Sequence, residues 1–184
     1  MTFNEILGQI LGILVTIGCV TIIQFPKRWQ ILLGSSVVNL ASALNLLLVG
    51  AGLSACIPCA VAVIHCLFCA IKAKRDIPSS LREKVFFSLC YLAAWALGFS
   101  IALSAGTASW TDIMPLAATV FFVASVFMPK ERNMRLFNLC NAVTYIAYDI
   151  IIPNTAVIAQ IFTVASILIA LYRYREKKPR ADTK

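Results

Sequence analysis

Amide and hydroxyl side chains recur at helical spacing inside strongly apolar stretches of this 184-residue chain. In one stretch, Ser35, Asn39 and Ser42 lie three or four residues apart, with Asn45 at the edge of the same stripe. Residues at this spacing share one face of an α-helix. Amides and hydroxyls both donate and accept hydrogen bonds, so such a face is suited to contact with a hydroxyl-rich or heterocyclic solute.

A second stretch, much later in the chain, carries a similar stripe, composed of Asn138, Asn141, Tyr145 and Tyr148. Asp149 follows it. It is the only carboxylate inside the apolar runs that are predicted below to span a membrane. An acid inside the membrane is a candidate for proton coupling or solute binding. Asp149 also lies about one turn from the outer boundary, so a solvated acid at the rim is the alternative.

Two interpretations of the polar stripes remain open. An amide without a partner in hydrocarbon is costly, so both stripes should face the protein interior. They either face each other across a polar cavity or hold packed helices together through hydrogen bonds worth about 0.6 kcal/mol on average. The occurrence of two matching stripes favours the cavity.

Cys56, Cys59, Cys66 and Cys69 form two C-x-x-C pairs beside His65, a pattern that also occurs in zinc sites. The pairs are about 15 Å apart along one helix, whereas four ligands must lie about 2.3 Å from one ion. We therefore predict no metal site and no cofactor. His65 is expected to pack as a neutral, hydrogen-bonded imidazole, with proton movement or solute contact as the alternative role.

The composition is typical of a membrane protein. Hydrophobic residues make up 60% of the chain and charged residues 13%, whereas soluble domains are about 45–50% apolar and about 25% charged. The apolar excess must face lipid. Apolar runs separated by short polar breaks predict an all-α integral membrane protein with seven transmembrane helices, at 6–24, 31–50, 52–71, 85–105, 113–128, 136–152 and 155–171.

Positive charge is confined to alternate loops. The segments 25–30, 72–84 and 128–135, with the tail from residue 173, contain all 16 Lys and Arg residues. Because cytoplasmic loops hold the excess of Lys and Arg, this predicts an odd number of spans, an outer N-terminus and a cytoplasmic C-terminus. It also argues against nucleic acid as a partner. The first apolar run lacks a basic leader and is predicted to be a retained helix.

A Pro-Lys turn precedes each polar stripe, at Pro26 and at Pro129. The recurrence predicts two parallel three-helix repeats joined by a linking helix (3+1+3), a plan known among transporters. The predicted single membrane domain spans 1–184. The predicted hinges are Pro26, Pro129 and, inside the third span, Pro58. The parts of the domain are repeat one at 6–71, the linking helix at 85–105, repeat two at 113–171 and a basic cytoplasmic tail at 172–184.

These turns, the stretches 39–50 and 141–149, and the three-one-three count resemble the YgjV-type bacterial inner-membrane proteins. Those proteins are similar in layout to the SWEET and PQ-loop superfamily of small-solute carriers. The resemblance covers nearly the whole chain, although the sequence contains no Pro-Gln dipeptide. It implies a bacterial inner-membrane location and two three-helix bundles around a central solute path. It does not imply a substrate.

We therefore predict a small-solute permease that is not an enzyme and has no catalytic residues. A non-transporting receptor or assembly scaffold with the same bundle is the alternative. An occluded polar pocket at mid-depth would favour carriage, and a fully packed interior would favour a scaffold. The expected partners are membrane lipid and a small polar solute, with no nucleic acid, and a homo-oligomer is left open. The predicted substrate-binding residues are Asn39, Ser42, Asn45, Asn141, Tyr145, Tyr148 and Asp149.

Overall fold

The structure, a computed structural model, describes residues 3–49, 53–106, 113–151 and 156–175. Within these ranges the regular structure is entirely helical, so the predicted all-α class is confirmed for the described residues. The seven helices found there are α1 (Phe3–Ile22), α2 (Arg28–Val49), α3 (Leu53–Lys74), α4 (Leu81–Ser104), α5 (Ile113–Phe127), α6 (Glu131–Ile151) and α7 (Ala156–Arg173).

The helices coincide with the seven predicted apolar runs, but two of them begin earlier, at charged residues. α2 begins at Arg28 instead of 31, and α6 begins at Glu131 instead of 136. At the start of α4, the Ser80 hydroxyl accepts from the Glu83 N–H at 3.3 Å, and the Glu83 carboxylate accepts from the Ser80 N–H at 2.7 Å. This capping box satisfies free N–H groups of the first turn. Hydropathy detects only the apolar part of a helix, whereas caps decide where the helix starts.

The helix contacts form a closed ring. Going round it, α1 packs on α2, α2 on α3, α3 on α5, α5 on α6, α6 on α7, and α7 on α1. α4 packs against α3 and α5. Helices that are distant in the chain, such as α1 and α7, are therefore neighbours in space.

The α1–α2 contact depends on glycine. A Cβ atom at Gly34 would lie 2.5 Å from Cγ2 of Ile22, and one at Gly18 would lie 2.6 Å from Cγ2 of Val38. Both distances are shorter than real carbon atoms tolerate, so only glycine permits this approach. The close contact fixes the position of α2 relative to α1.

The outward helix faces carry large apolar side chains. On α4, Phe86 is 61% exposed and Leu89 is 58% exposed. Soluble monomers rarely expose large continuous apolar surfaces. Among the described helices, the stretches Ile57–Lys74 and Leu81–Ser104 are long and apolar enough to cross a membrane by length and composition. The described shorter apolar stretches are Ile10–Ile22, Ile113–Phe127 and Val157–Arg173.

The buried core is concentrated at one end of the bundle. This end, called the basic end below, holds the turns at 23–27, 75–80 and 128–130 and the last turn of α7. Ile31, Leu32, Met134 and Ile167 are almost completely buried there. The helices are thus tightly packed near the basic end, and the cavity to which all seven described helices contribute lies farther along the bundle.

Candidate functional site

A cavity of about 340 Å³ lies between the helices, and each of the seven described helices contributes to its wall. Ligand pockets in proteins commonly measure about 300–1,000 Å³, so the cavity is large enough for a small solute. Apolar side chains make up much of the wall. Its amide and hydroxyl side chains are Thr16, Ser35, Asn39, Ser42, Tyr91, Thr119, Asn138, Asn141, Tyr145, Gln160 and Thr163.

The two polar stripes meet at this cavity. Asn39 and Ser42 line it from α2, and Asn141 and Tyr145 line it from α6. These four residues belong to the predicted substrate-binding set. Pro58, a predicted hinge, also lies in the wall, on α3.

Asn45 and Tyr148 do not belong to the described wall, although both were predicted to bind substrate. Each lies ten residues beyond the first member of its stripe, Ser35 or Asn138. At 3.6 residues per turn, ten residues bring the side chain round to about 80° from the starting direction. The last position of each stripe has therefore turned away from the cavity.

The other predicted site residues, Asp149, Pro26 and Pro129, lie elsewhere. Asp149 lies in α6, but its side chain is outside the described residues, as is the tail from residue 176. Pro26 and Pro129 lie in the turns of the basic end, before α2 and before α6. They are close to the contacts between the two halves of the chain described below.

The two asparagines on the wall use their amides differently. Nδ2 of Asn39 donates to the Ser35 carbonyl of its own helix at 2.7 Å. Nδ2 of Asn141 donates to the Ala118 carbonyl of α5, also at 2.7 Å. Asn141 therefore links two helices, whereas the bond of Asn39 leaves the helix packing independent of it. The interpretation as a helix–helix contact therefore fits Asn141, whereas the bond of Asn39 within its own helix leaves the solute-site interpretation open.

Four hydroxyl groups of the wall donate to their own helices. Thr16 donates to Gly12 O at 3.0 Å and Ser42 to Val38 O at 2.9 Å. The Thr119 and Thr163 hydroxyls also donate to the carbonyl four residues earlier, at 2.8 and 2.9 Å. A hydroxyl has one proton and two lone pairs, so each of these oxygens retains acceptor capacity.

His65 is buried beside the cavity in a cluster of aromatic rings. It stacks on Phe87 with ring centroids 4.2 Å apart and lies 4.6 Å from the ring of Phe127. Neither ring nitrogen has a hydrogen-bond partner among the described residues. The expected packing of this histidine is therefore present, but the expected hydrogen bond is not. Its neighbour Tyr91 lines the cavity, and its hydroxyl also lacks a partner in the described part of the chain.

The described thiols of the C-x-x-C pairs have different surroundings: Cys59 is partly buried and lines the cavity, whereas the other two lie in the core. Cys66 and Cys69 are buried in the core at the basic end. The side chain of Cys56 lies outside the described residues. Within the described ranges, no group of three or more His, Cys, Asp and Glu side chains is arranged to hold a metal ion.

Two arginines at the basic end form contacts that the sequence did not predict. The Arg28 guanidinium of α2 donates to Val126 O, near the end of α5, at 2.8 Å. The Arg135 guanidinium of α6 donates to Ile23 O and Phe25 O, just beyond α1, at 3.2 and 2.7 Å. In each case an arginine near the start of one helix reaches the carbonyl end of a helix from the other half of the chain. Such carbonyls lack partners within their own helix and attract cations.

α7 joins the same network. The Arg135 guanidinium lies over the ring of Tyr174 at 4.5 Å, and the Tyr174 hydroxyl donates to Gln24 O at 2.8 Å. The Gln24 amide donates to Ser166 Oγ at 2.8 Å, and that hydroxyl donates to Val20 O at 2.7 Å. These bonds tie the ends of α1, α6 and α7 together. The one hint in the sequence is that Arg135 lies between apolar residues, Met134 and Leu136.

Comparison with curated proteins and with solved structures finds no match. A family model, Imp-YgjV, described as a bacterial inner membrane protein, matches residues 6–178. The match covers nearly the whole chain, including the residues that line the cavity. The family predicted from the Pro-Lys turns and the polar stripes is therefore confirmed: this chain belongs to the Imp-YgjV family of bacterial inner membrane proteins.

Proposed function

We propose that the protein is an integral inner-membrane carrier of small solutes, with seven spans arranged as two three-helix repeats and a linking helix. The observation that carries this proposal is the cavity of about 340 Å³, whose wall contains residues from both polar stripes. A scaffold has no need of such a space, because polar stripes that only join helices would be packed against one another. Asn39 supports this point, since its hydrogen bond remains within α2.

In this proposal, the basic end is a gate that is closed in the present structure. The core around Ile31 and Met134 and the bonds of Arg28 and Arg135 close the bundle there. Opening the cavity toward this end requires the α1–α2 turn to separate from the ends of α5 and α6. Pro26 and Pro129 lie in the two turns that would have to move, and hinge positions usually lie at such element ends.

A carrier works by binding its solute in both states while alternating between them, and a solute shifts the equilibrium only by its differential affinity. Charge-assisted hydrogen bonds and a packed core hold the basic end closed. We expect the closed state at this end to be the resting state. Bound solute then offsets part of the cost of opening.

Efflux from vesicles tests the proposal across many compounds at once, so the solute need not be chosen in advance. The full-length protein is reconstituted into liposomes loaded with a ¹³C-labelled, low-molecular-weight bacterial extract. Loss of each labelled compound is followed by mass spectrometry and compared with protein-free liposomes. We expect at least one compound to leave faster from the protein-containing vesicles.

Two variants test whether the efflux depends on the cavity. Asn39→Ala removes an amide from the wall without removing a bond between helices. Asn133→Ala is the matched control, because Asn133 is an exposed amide at the start of α6. The expected result is slower efflux for Asn39→Ala and parental efflux for Asn133→Ala. If no compound leaves faster than from protein-free liposomes, the carrier assignment is wrong and the scaffold alternative is favoured.

A further inference from the structure

The hydrogen-bonding character of the cavity wall indicates a class of solute. We infer that the cavity selects solutes whose polar end donates hydrogen bonds and carries no negative charge, best matched by a protonated primary amine on an apolar or aromatic body. This inference rests on the proposed carrier function and specifies what is carried.

Four of the seven hydroxyl groups on the described cavity wall have their proton committed within the protein. Thr16, Ser42, Thr119 and Thr163 each donate their single proton to a carbonyl of their own helix. Their oxygens can therefore offer only lone pairs to a bound molecule. An ammonium group has three donors and no acceptor, so it is complementary to this surface.

The amides add acceptors to the same wall. An amide nitrogen cannot accept a hydrogen bond, so the contacts of Asn39 with Ser35 O and of Asn141 with Ala118 O fix the orientation of both groups. Each oxygen Oδ1 then lies on the opposite side from the bonded carbonyl. One donor of each amide is occupied, while its second N–H and both lone pairs of its oxygen are not used by these bonds.

The absence of charged side chains from the described wall disfavours anionic solutes. Among the described residues that line the cavity, none has a side chain that is charged at neutral pH. A carboxylate or phosphate placed there would lose its hydration and meet oxygen lone pairs without a cation, at a high cost in free energy. A cation would instead exchange its water for protein oxygens, as ions do in carbonyl-lined filters.

Aromatic rings favour the same class. Tyr91, Phe122 and Tyr145 belong to the wall, and the rings of Tyr91 and Phe122 lie edge to face at 6.2 Å. Aromatic faces attract cations, more strongly when the site is dry. The Tyr91 hydroxyl is buried and has no partner in the described part of the chain, so its oxygen can accept a hydrogen bond and its proton can donate one. The apolar remainder of the wall suits an apolar solute body.

Three compounds with one skeleton test the inference: phenethylammonium, 2-phenylethanol and phenylacetate. Each is titrated against the purified full-length protein, and an apparent Kd is obtained from the concentration dependence of Tm, since a ligand of the folded state raises Tm by mass action. We expect phenethylammonium to bind most tightly and phenylacetate to produce no saturable shift. Equal or tighter binding of phenylacetate would overturn the inference.

A pair of isosteric variants separates binding in the cavity from partition into detergent. Thr163→Val removes one wall acceptor together with its bond to Ala159 O. Thr21→Val is the control, because Thr21 makes the same kind of bond to Ile17 O at 2.7 Å but is exposed and does not line the cavity. A hydrogen bond to a charged donor is worth about tenfold or more in an equilibrium constant. We expect the Kd of phenethylammonium to rise about tenfold in Thr163→Val and to be unchanged in Thr21→Val.

Equal effects of the two variants would overturn the inference, because they would place the amine outside the cavity. Failure of this inference is distinguishable from failure of the carrier function. Efflux of labelled compounds together with saturable phenylacetate binding would leave carriage intact and refute the solute class. Saturable amine binding without any efflux would leave the solute class intact and refute carriage.

Discussion

Arg135 shows how a buried cation is accommodated in this protein. Its side chain is 2% exposed, yet its guanidinium donates to two backbone carbonyls just beyond α1. Carbonyls at a helix C-terminus carry partial negative charge from the helix dipole and have no partner in the helix. Arg135 therefore supplies donors to carbonyls just beyond α1, and those carbonyls offset part of the cost of burying its charge.

Replacing Arg135 should strongly destabilise the folded protein. Arg135→Ala removes two charge-assisted hydrogen bonds and leaves Ile23 O and Phe25 O without these donors. We expect a loss of about 2–4 kcal/mol in the free energy of unfolding, measured by titration with sodium dodecyl sulfate.

Arg132→Ala is the control for this change. It removes the same charge from the same helix, but Arg132 is exposed. We expect its effect on the unfolding free energy to be within about 0.5 kcal/mol. Similar losses for the two variants would indicate a general effect of charge and contradict the role assigned to the Arg135 contacts.

The asparagines show how far residue spacing alone can predict a site. Helical periodicity placed Asn39 and Asn141 on inward faces, and both line the cavity. It did not separate their roles, because the partner of Asn141, the Ala118 carbonyl, belongs to another helix. Spacing also extended each stripe one position too far, to Asn45 and Tyr148, where the rotation of the helix had moved the side chain off the wall.

At the level of elements, α1 and α2 pack together because glycine lets their backbones approach closely. Gly34 faces Ile22, whose β-branched side chain has little freedom to move aside. Since α1 and α2 both contribute to the cavity wall, this contact also sets the position of the polar stripe on α2. The requirement for glycine at this point is not visible in the hydropathy of either helix.

Gly34→Ala should destabilise the protein through overpacking. A methyl group there would lie 2.5 Å from Cγ2 of Ile22, and forced repacking of this kind costs about 1–3 kcal/mol. Gly12→Ala is the matched control, since its new methyl group would lie at an ordinary contact distance of 3.5 Å from Nδ2 of Asn45.

Both changes gain the same helix propensity, so the difference between their Tm values isolates the steric effect. We expect Gly34→Ala to lower Tm and Gly12→Ala to keep or slightly raise it. A Tm for Gly34→Ala at or above that of Gly12→Ala would show that α1 and α2 do not approach as closely as the structure places them.

At the level of the whole molecule, the described basic turns come together at one end. The contacts of Arg28 with Val126 and of Arg135 with Phe25 join the first and third of these turns. A second cavity, of about 340 Å³, lies among the three turns and includes Lys27, Asp76 and Pro129 in its wall. The alternation of charge along the sequence and the spatial arrangement of the described turns therefore agree.

This arrangement predicts the orientation of the protein in the membrane. Green fluorescent protein fused to the C-terminus should fluoresce, because that end is expected in the cytoplasm with the Lys and Arg residues. Alkaline phosphatase, which is active only outside the inner membrane, should be active when fused after residue 106 and inactive when fused after residue 77.

Exchange of the two reporters at the same positions is the control, and it should give the opposite signals. An active phosphatase at the C-terminus would contradict the predicted cytoplasmic C-terminus. It would also place the Arg28 and Arg135 contacts on the outer side and reverse the direction in which the proposed gate opens.

Local composition and periodicity determined the positions of the helices, the alternation of charge and the inward faces that carry Asn39 and Asn141. These properties depend on residues close together in the chain, so the sequence displays them directly. The burial of Arg135 was decided only by the tertiary structure, since Arg135 and its acceptor Phe25 lie 110 positions apart. The composition of the cavity wall has the same origin: its described residues come from seven helices, and no local pattern specifies which amides, rings and hydroxyls will meet.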